Sequence, residues 1–361
     1  LMNFGSYVFN DAITKSIYEG KVPNLDFGWE VANNTNVGLD ASFLNNKLAL
    51  EFDYFYNKRT NILISRGSSI PESSGIADRL PPVNLGKVNN KGFEFKLSYN
   101  DQIGDLNFGV SVNGGYAKNK IIFWDETPGA PEWQRSTGRV TNSWLVYDYD
   151  GVFKDQSEIS ANKINYGALT NNLRPGDMKF KDTNGDGKIN ADDKIRLDQN
   201  GTPTFTGGVN LNLQYKGFDL SVLIQGATGG MQIVGITESG DIGNFLEWSY
   251  NNRWSIDNPS AINPRLSNRG ATYYTDGNNA LNNTYWLRSN NYVRLKNIEL
   301  GYTLPTNWLE KVGLNSVRLY ANGLNLFTVD KIKIWDPEST NSSGQYYPQA
   351  RVINFGVKAA F

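Results

Sequence analysis

Apolar residues recur at every second position in nine stretches of this chain. The last stretch, Arg351–Phe361, is the clearest. Ile353, Phe355, Val357, Ala359 and Phe361 share one parity, and Asn354, Gly356, Lys358 and Ala360 the other. Successive side chains of a strand point to opposite faces, so this stretch predicts a strand with one apolar and one polar face, closing on an apolar-face aromatic. Thr35–Leu44 sets Val37, Leu39, Ala41 and Phe43 against Asn36, Gly38, Asp40 and Ser42. Lys47–Ile64 answers with Leu48, Leu50, Phe52, Tyr54 and Tyr56; it is longer than the usual strand of about five or six residues. Lys91–Tyr99, Leu106–Tyr116, Thr206–Tyr215 and Phe218–Gly226 alternate in the same way. In Asn291–Leu304 the parity slips near Lys296, and in Asn315–Phe327 it slips after Ala321; a β-bulge repairs such a slip. Residues 1–34 read as loop leading into the first of these strands.

The connections alternate in length. Asn45-Asn46, Asn100–Gly104, Lys216-Gly217 and Pro305–Leu314 are short; Arg66–Gly86, Ile121–Thr204, Thr228–Asn290 and Asp330–Gln349 are long. Outer-membrane barrels have this asymmetry, with short periplasmic turns and long extracellular loops. Charged strand residues such as Asp40, Glu51, Asp53, Glu94, Lys96, Asp219, Glu299 and Lys358 avoid the apolar parity. The expected fold is therefore all-β: a transmembrane antiparallel barrel whose apolar parity meets outer-membrane lipid. Bacterial single-chain barrels have an even strand number, so about nine strands predict a C-terminal part of a larger barrel, filling residues 1–361. Residues 121–204 are expected to form a long extracellular loop outside the wall.

Composition narrows the function. With 35 basic and 36 acidic residues among 361, the chain has no basic excess for nucleic acid. Cysteine and histidine are both absent, which removes disulfides, thiolate catalysis and histidine acid–base chemistry. No run approaches the roughly 18–20 apolar residues of a membrane helix, but a barrel strand is apolar only at alternate positions. Leu1–Gly20 has no secretion signal, so an exported protein would need a start upstream of this sequence.

One motif carries chemistry. Residues 182–193, DTNGDGKINADD, follow the twelve-residue calcium loop, with Asp182, Asn184 and Asp186 at positions one, three and five. Gly187 takes the sharp turn at six, Lys188 offers a carbonyl at seven, Asn190 stands at nine and Asp193 at twelve. This spacing wraps oxygen donors round one point and predicts a structural Ca2+ site. Asp193 replaces the usual Glu and flanking helices are not evident, so a clip is expected and not a sensor. The substrate-binding residues are not readable from the sequence.

Several segments together resemble the SusC/RagA family of TonB-dependent outer-membrane transporters: PNLDFGWE at 23–30, NVGLD at 36–40, GKVNNKGFE at 86–94, GDMKFKDTNGDGKINADD at 176–193, YWLRSNNYVRLKNIELGYTLP at 285–305 and LYANGLNLFT at 319–328. The resemblance implies a plugged barrel of about 22 strands. It implies import of oligosaccharides or peptides beneath a SusD-like surface lipoprotein, energised by the TonB complex, and no enzymatic activity. Two other readings stay open: a calcium-stabilised extracellular adhesin or binding module, and an outer-membrane channel not used for import. Trp124, Trp133, Trp144, Trp248, Trp254, Trp286 and Trp335 could stack on sugars; packing, an interface belt or lid contact explains any one of them more simply.

Overall fold

The computed structural model describes residues 2–66, 68–76, 79–167, 172–234, 247–259, 262–266, 282–309, 313–339 and 347–361. Parts of all four predicted long loops fall outside these residues, most of all within 228–290 and 330–349. The chain divides into two compact units. One comprises Leu1–Asn36, Phe55–Lys91 and Lys118–Ser143; the other comprises Val37–Tyr54, Gly92–Ala117 and Trp144–Phe361.

The strands are β1 (Met2–Phe9), β2 (Ala12–Glu19), β3 (Val31–Phe43), β4 (Leu48–Ile64), β5 (Val83–Ile103), β6 (Leu106–Phe123), β7 (Leu145–Val146), β8 (Tyr149–Val152), β9 (Met178–Phe180), β10 (Ile195–Arg196), β11 (Phe205–Tyr215), β12 (Phe218–Thr228), β13 (Met231–Ile233), β14 (Leu287–Ser289), β15 (Tyr292–Thr303), β16 (Ser316–Asp330) and β17 (Val352–Ala360). Nine of them form one sheet in the order β17-β16-β15-β12-β11-β6-β5-β4-β3. These are the nine stretches of alternation, each beside its sequence neighbour in the sheet. Antiparallel pairing puts the β6–β11, β12–β15 and β16–β17 connections at one end, as the loop lengths predict.

Several boundaries differ from the expectation. Residues 1–34 are not loop: β1 and β2 pair as a hairpin, Met2 opposite Glu19 through Phe9 opposite Ala12. Its turn, Asn10-Asp11, has φ of 53° and 61°, the left-handed pair of a tight hairpin. The turn after β3 is wider than Asn45-Asn46, because Leu44, at φ 56°, joins both asparagines in the left-handed region. β5 begins at Val83, inside the predicted loop, and runs through the expected turn to Ile103; the reversal is Gly104-Asp105. The bulge near Lys296 is present: Ile224 faces Leu295 while Leu223 faces Asn297, so Lys296 is the extra residue. In β16 the irregularity lies past Ala321. It falls between Leu324 and Phe327, with Asn325 at φ 52°.

In the second unit the apolar parity is bare. Phe355 is 81% exposed, Val357 67% and Ile353 61%, and Val37, Leu39, Phe218, Val293, Leu300, Leu319 and Phe327 are exposed as well. No second protein layer covers them among the described residues. The polar parity carries cross-strand rows instead. Ser221, Glu299, Asn322 and Asn354 lie side by side on four strands, with Asn354 Nδ2 donating to Asn322 Oδ1 at 3.0 Å. One row over, Gly356 faces Tyr320, and a Cβ there would sit 2.3 Å from Tyr320 Cζ.

Two outcomes test this arrangement in the full-length protein. Phe355→Lys on a lipid-facing surface costs about 2–4 kcal/mol at mid-membrane depth, read as a lower urea midpoint for unfolding from bilayers; a water-facing position would leave the midpoint unchanged. Gly356→Ala overpacks Tyr320 and costs about 1–3 kcal/mol in the same assay, and Gly356→Ala combined with Tyr320→Ala restores most of the loss.

Candidate functional site

Two regions carry the polar chemistry: the polar face of the sheet and the module built by the long connections. On the polar face Arg318 of β16 reaches across Gly301 to two carboxylates on two other strands. Its Nε donates to Asp219 Oδ1 at 2.9 Å and its Nη2 to Glu299 Oε1 at 2.7 Å. A Cβ at position 301 would lie 2.3 Å from Arg318 Nη2, so glycine there clears the path. Further along, Glu51, Asp53 and Glu94 rim a recess of about 530 Å³ with Lys96, floored by Gly114 and Gly207. Lys96 Nζ binds Glu51 Oε1 at 2.9 Å. The two glycines face each other across β6 and β11, and a Cβ on Gly114 would press on Phe205 and Phe95 at 2.9 Å. The recess is open and acidic, suited to polar or cationic groups. Its carboxylates carry no arrangement of acid and base that points to catalysis.

At the loop end, Arg294 of β15 is nearly buried, with its side chain 3% exposed. Its Nη2 donates to Asp336 Oδ1 at 2.8 Å, its Nη1 to Glu338, and its Nε to Thr328 Oγ1 at 3.0 Å. Lys296 Nζ adds a second bond to Glu338 at 3.1 Å. The segment after β16 is thus clamped to the wall. The sequence places these four charges within reach only once the β15–β16 register is known.

Residues 121–204, expected as one long loop, carry secondary structure of their own. β6 continues to Phe123, and β7–β10 form two small antiparallel sheets, β10 with β7 and β8 with β9. Their core joins three connections: Tyr147, Phe153, Tyr166, Met178, Phe180 and Ile189 from the first, Val234, Tyr285 and Trp286 from the second, and Ile332 from the third. Burial raises the Tyr166 and Tyr285 hydroxyls to about 12. Asp177, 4% exposed, binds Arg265 Nε at 2.5 Å; burial raises its carboxyl against the opposing pull of that guanidinium. None of the seven loop tryptophans is exposed, and Trp286 is 1% exposed, which favours packing over sugar stacking.

The calcium-loop residues sit between β9 and β10, with no helix on either side. Gly187 has φ 79°, the turn expected at position six. Asp182 Oδ2 accepts from Gly187 N at 2.8 Å and its Oδ1 from Gly185 N at 2.7 Å; Asn184 Oδ1 accepts from Asp186 N and Asp186 Oδ1 from Lys188 N. Asp193 is fully buried, and its two oxygens accept from Thr183 N at 2.9 Å and Asn190 N at 2.8 Å. Asn190 caps the turn at Ala191–Asp193 through Asp192 N. Among the described residues no three acidic side chains are gathered closely enough to share an ion. The donor chemistry suits a hard cation and each carboxylate keeps further lone pairs; the side chains as placed are tied to backbone N–H groups instead.

A family profile described as TonB dependent receptor-like, beta-barrel, matches residues 3–326. TonB-dependent receptor P3 of Formosa agariphila is 32% identical over 372 aligned positions, which cover 94% of this chain and 35% of that protein. TonB-dependent receptor SusC of Bacteroides thetaiotaomicron is 25% identical, over 99% of this chain and 34% of its own length. The solved structure of the RagAB peptide transporter superposes with a TM-score of 0.67 at 25% identity, covering all of this chain and 38% of that one. The chain therefore spans about a third of the length of the curated relatives it matches, and its nine strands are a section of a larger wall. From the profile match, the relatives and the shared sheet, the chain belongs to the TonB-dependent receptor β-barrel family of outer-membrane proteins.

Proposed function

We propose that this chain is part of an outer-membrane importer of the SusC type, which takes up oligosaccharides or peptides beneath a SusD-like lipoprotein and is energised by TonB. Receptors of the family are not enzymes. The observation that carries the reading is the contrast between faces: one parity of the nine strands is bare and apolar, and the other holds the Arg318 and Lys96 ion pairs. A wall dry outside and wet inside is the physical form of a channel through lipid. Two similar proteins, one named SusC and one titled a peptide transporter, support import over a passive channel. We place residues 121–204 and their shared core outside the cell, where they would meet the lipoprotein. Deleting the gene is expected to abolish uptake of the cargo, and deleting TonB to do the same; uptake that persists without TonB overturns energised import and favours the passive channel. Affinity purification of the full-length protein from native membranes is expected to bring down one surface lipoprotein in equal amount.

The spacing of Asp182, Asn184, Asp186, Asn190 and Asp193 further supports a structural Ca2+ clip at 182–193. Bound there, Ca2+ would cross-link the loop between β9 and β10, with Lys188 contributing its carbonyl. At a hundredfold excess over Kd such an ion stabilises by about 2.7 kcal/mol. Asp186→Ala in the full-length protein is expected to lose one calcium per chain by elemental analysis and to lose the melting shift that EGTA produces in the wild type. Equal calcium in both proteins removes the clip.

A further inference from the structure

Where the connections meet the loop end of the wall they enclose a cavity of about 540 Å³. That volume falls within the roughly 300–1,000 Å³ of small-molecule sites. Its walls are apolar and aromatic: Trp144, Pro203, Ala227, Met231, Ile233 and Tyr292. Thr206 borders both this cavity and the acidic recess on the polar face, so the two adjoin.

Most polar side-chain atoms of the lining are engaged within the protein, and two that lack a partner, Trp144 Nε1 and Asn290 Oδ1, are themselves shut away from solvent. With its amide set to suit both neighbours, Gln232 donates to the Ser339 carbonyl at 2.8 Å and accepts from Trp335 Nε1 at 2.6 Å. Asn290 donates to the Gly201 carbonyl at 3.4 Å, while its Oδ1 is buried beside Gly230 and accepts no hydrogen bond. Glu338 is neutralised by Arg294 and Lys296. These same bonds brace the cavity, since Gln232 ties β13 to the third connection and Glu338 ties that connection to β15.

We propose that this cavity is a specificity subsite for one uncharged apolar side chain, aliphatic or aromatic, of a peptide-like cargo, and that it discriminates against bare sugar rings. A sugar ring would bring hydroxyls on every edge to a mostly apolar wall whose two unpartnered polar atoms are buried out of reach, and each unpaired hydroxyl forfeits its hydration. A charged side chain would lose its hydration and find Glu338 already paired. An apolar side chain loses little and gains contact with Trp144, Met231 and Ile233. The inference rests on the import reading above and selects between its two substrate classes.

The test uses full-length protein in detergent and calorimetric titration with N-acetylated tripeptide amides, Ala-Leu-Ala and Ala-Phe-Ala against Ala-Ser-Ala and Ala-Lys-Ala, and with maltotriose. The Leu and Phe peptides are expected to bind at least tenfold more tightly than the Ser and Lys peptides, with no heat from maltotriose. Ala227→Phe, which fills the cavity, abolishes that preference. Met231→Ala, which enlarges it without adding bulk, shifts preference from Leu to Phe and guards against a misfolded filler; both variants are checked for an unchanged melting temperature. The proposal is overturned by a wild type that binds none of the peptides or is indifferent to the central residue, by maltotriose binding that Ala227→Phe blocks, or by a preference that survives both variants. Uptake in cells separates the two claims: peptides bound but never imported sink the import reading alone, and TonB-dependent uptake of sugars with no peptide preference sinks the subsite alone.

Discussion

A strand in hydrocarbon has nowhere to place its backbone except against another strand. No water reaches its N–H and C=O groups, so every one must be paired across the sheet, and a period of two then fixes which side chains meet lipid. The rest of this chain follows from that constraint. It explains why Ile353, Phe355 and Val357 stand uncovered on β17 while Asn354 joins a hydrogen-bonded row with Asn322. It also explains the bulge at Lys296. A one-residue slip would turn every later side chain to the wrong face, and the extra residue lets Val293 and Leu295 share the apolar face with Ile298 and Leu300.

Antiparallel pairing has a second consequence. It delivers three connections to one end of the sheet, and they share one aromatic core. Within it Tyr147 and Phe180 pack at 5.3 Å between ring centroids, and Tyr285 lies edge-on to Trp286 at 4.9 Å. Stitching runs between connections, as in Thr284 N to Tyr147 O and Tyr147 N to Asn282 O. The module is held to the wall as well as to itself, through Arg294 and the acidic pair Asp336 and Glu338.

What the sequence made legible was local. Parity identified all nine strands of the main sheet, because each carries its own alternation and needs no partner to display it. Gly187 marked a left-handed turn, because a position that demands φ near 79° leaves few other residues. The β1–β2 hairpin escaped although Asn10-Asp11 is a turn pair, because polar Asn3, Ser6, Thr14 and Lys15 interrupt the apolar rhythm on both sides. The loop core escaped for a different reason. Ile332 and Phe153 belong to one cluster but stand far apart in sequence, and nothing in either neighbourhood announces the other. The donors at 182–193 were legible as residue types, yet their engagement with Gly185, Gly187 and Thr183 backbone N–H groups depends on the folded path.

Two arginines at opposite ends of the wall show how burial sets the worth of the same charge pair. Arg318, with its side chain 23% exposed, bridges Asp219 and Glu299 on the polar face, which are 28% and 30% exposed. Water screens all three, and exposed pairs of this kind contribute roughly 0–1 kcal/mol. Arg318 therefore serves register more than stability: its present path to Asp219 runs over Gly301, where a Cβ would force the guanidinium to shift. Arg294, at 3% exposed, has Asp336 at 8% and Glu338 at 19%. Removing its guanidinium would leave Asp336 without a cation and Glu338 with Lys296 alone, a loss of up to about 3–5 kcal/mol where the stranded partner is fully buried. Forming the pair stabilises far less than breaking it destabilises. The clamp is accordingly a device for fixing position. It determines where Pro337 and Glu338 stand, and through them the shape of the cavity between the wall and the loops.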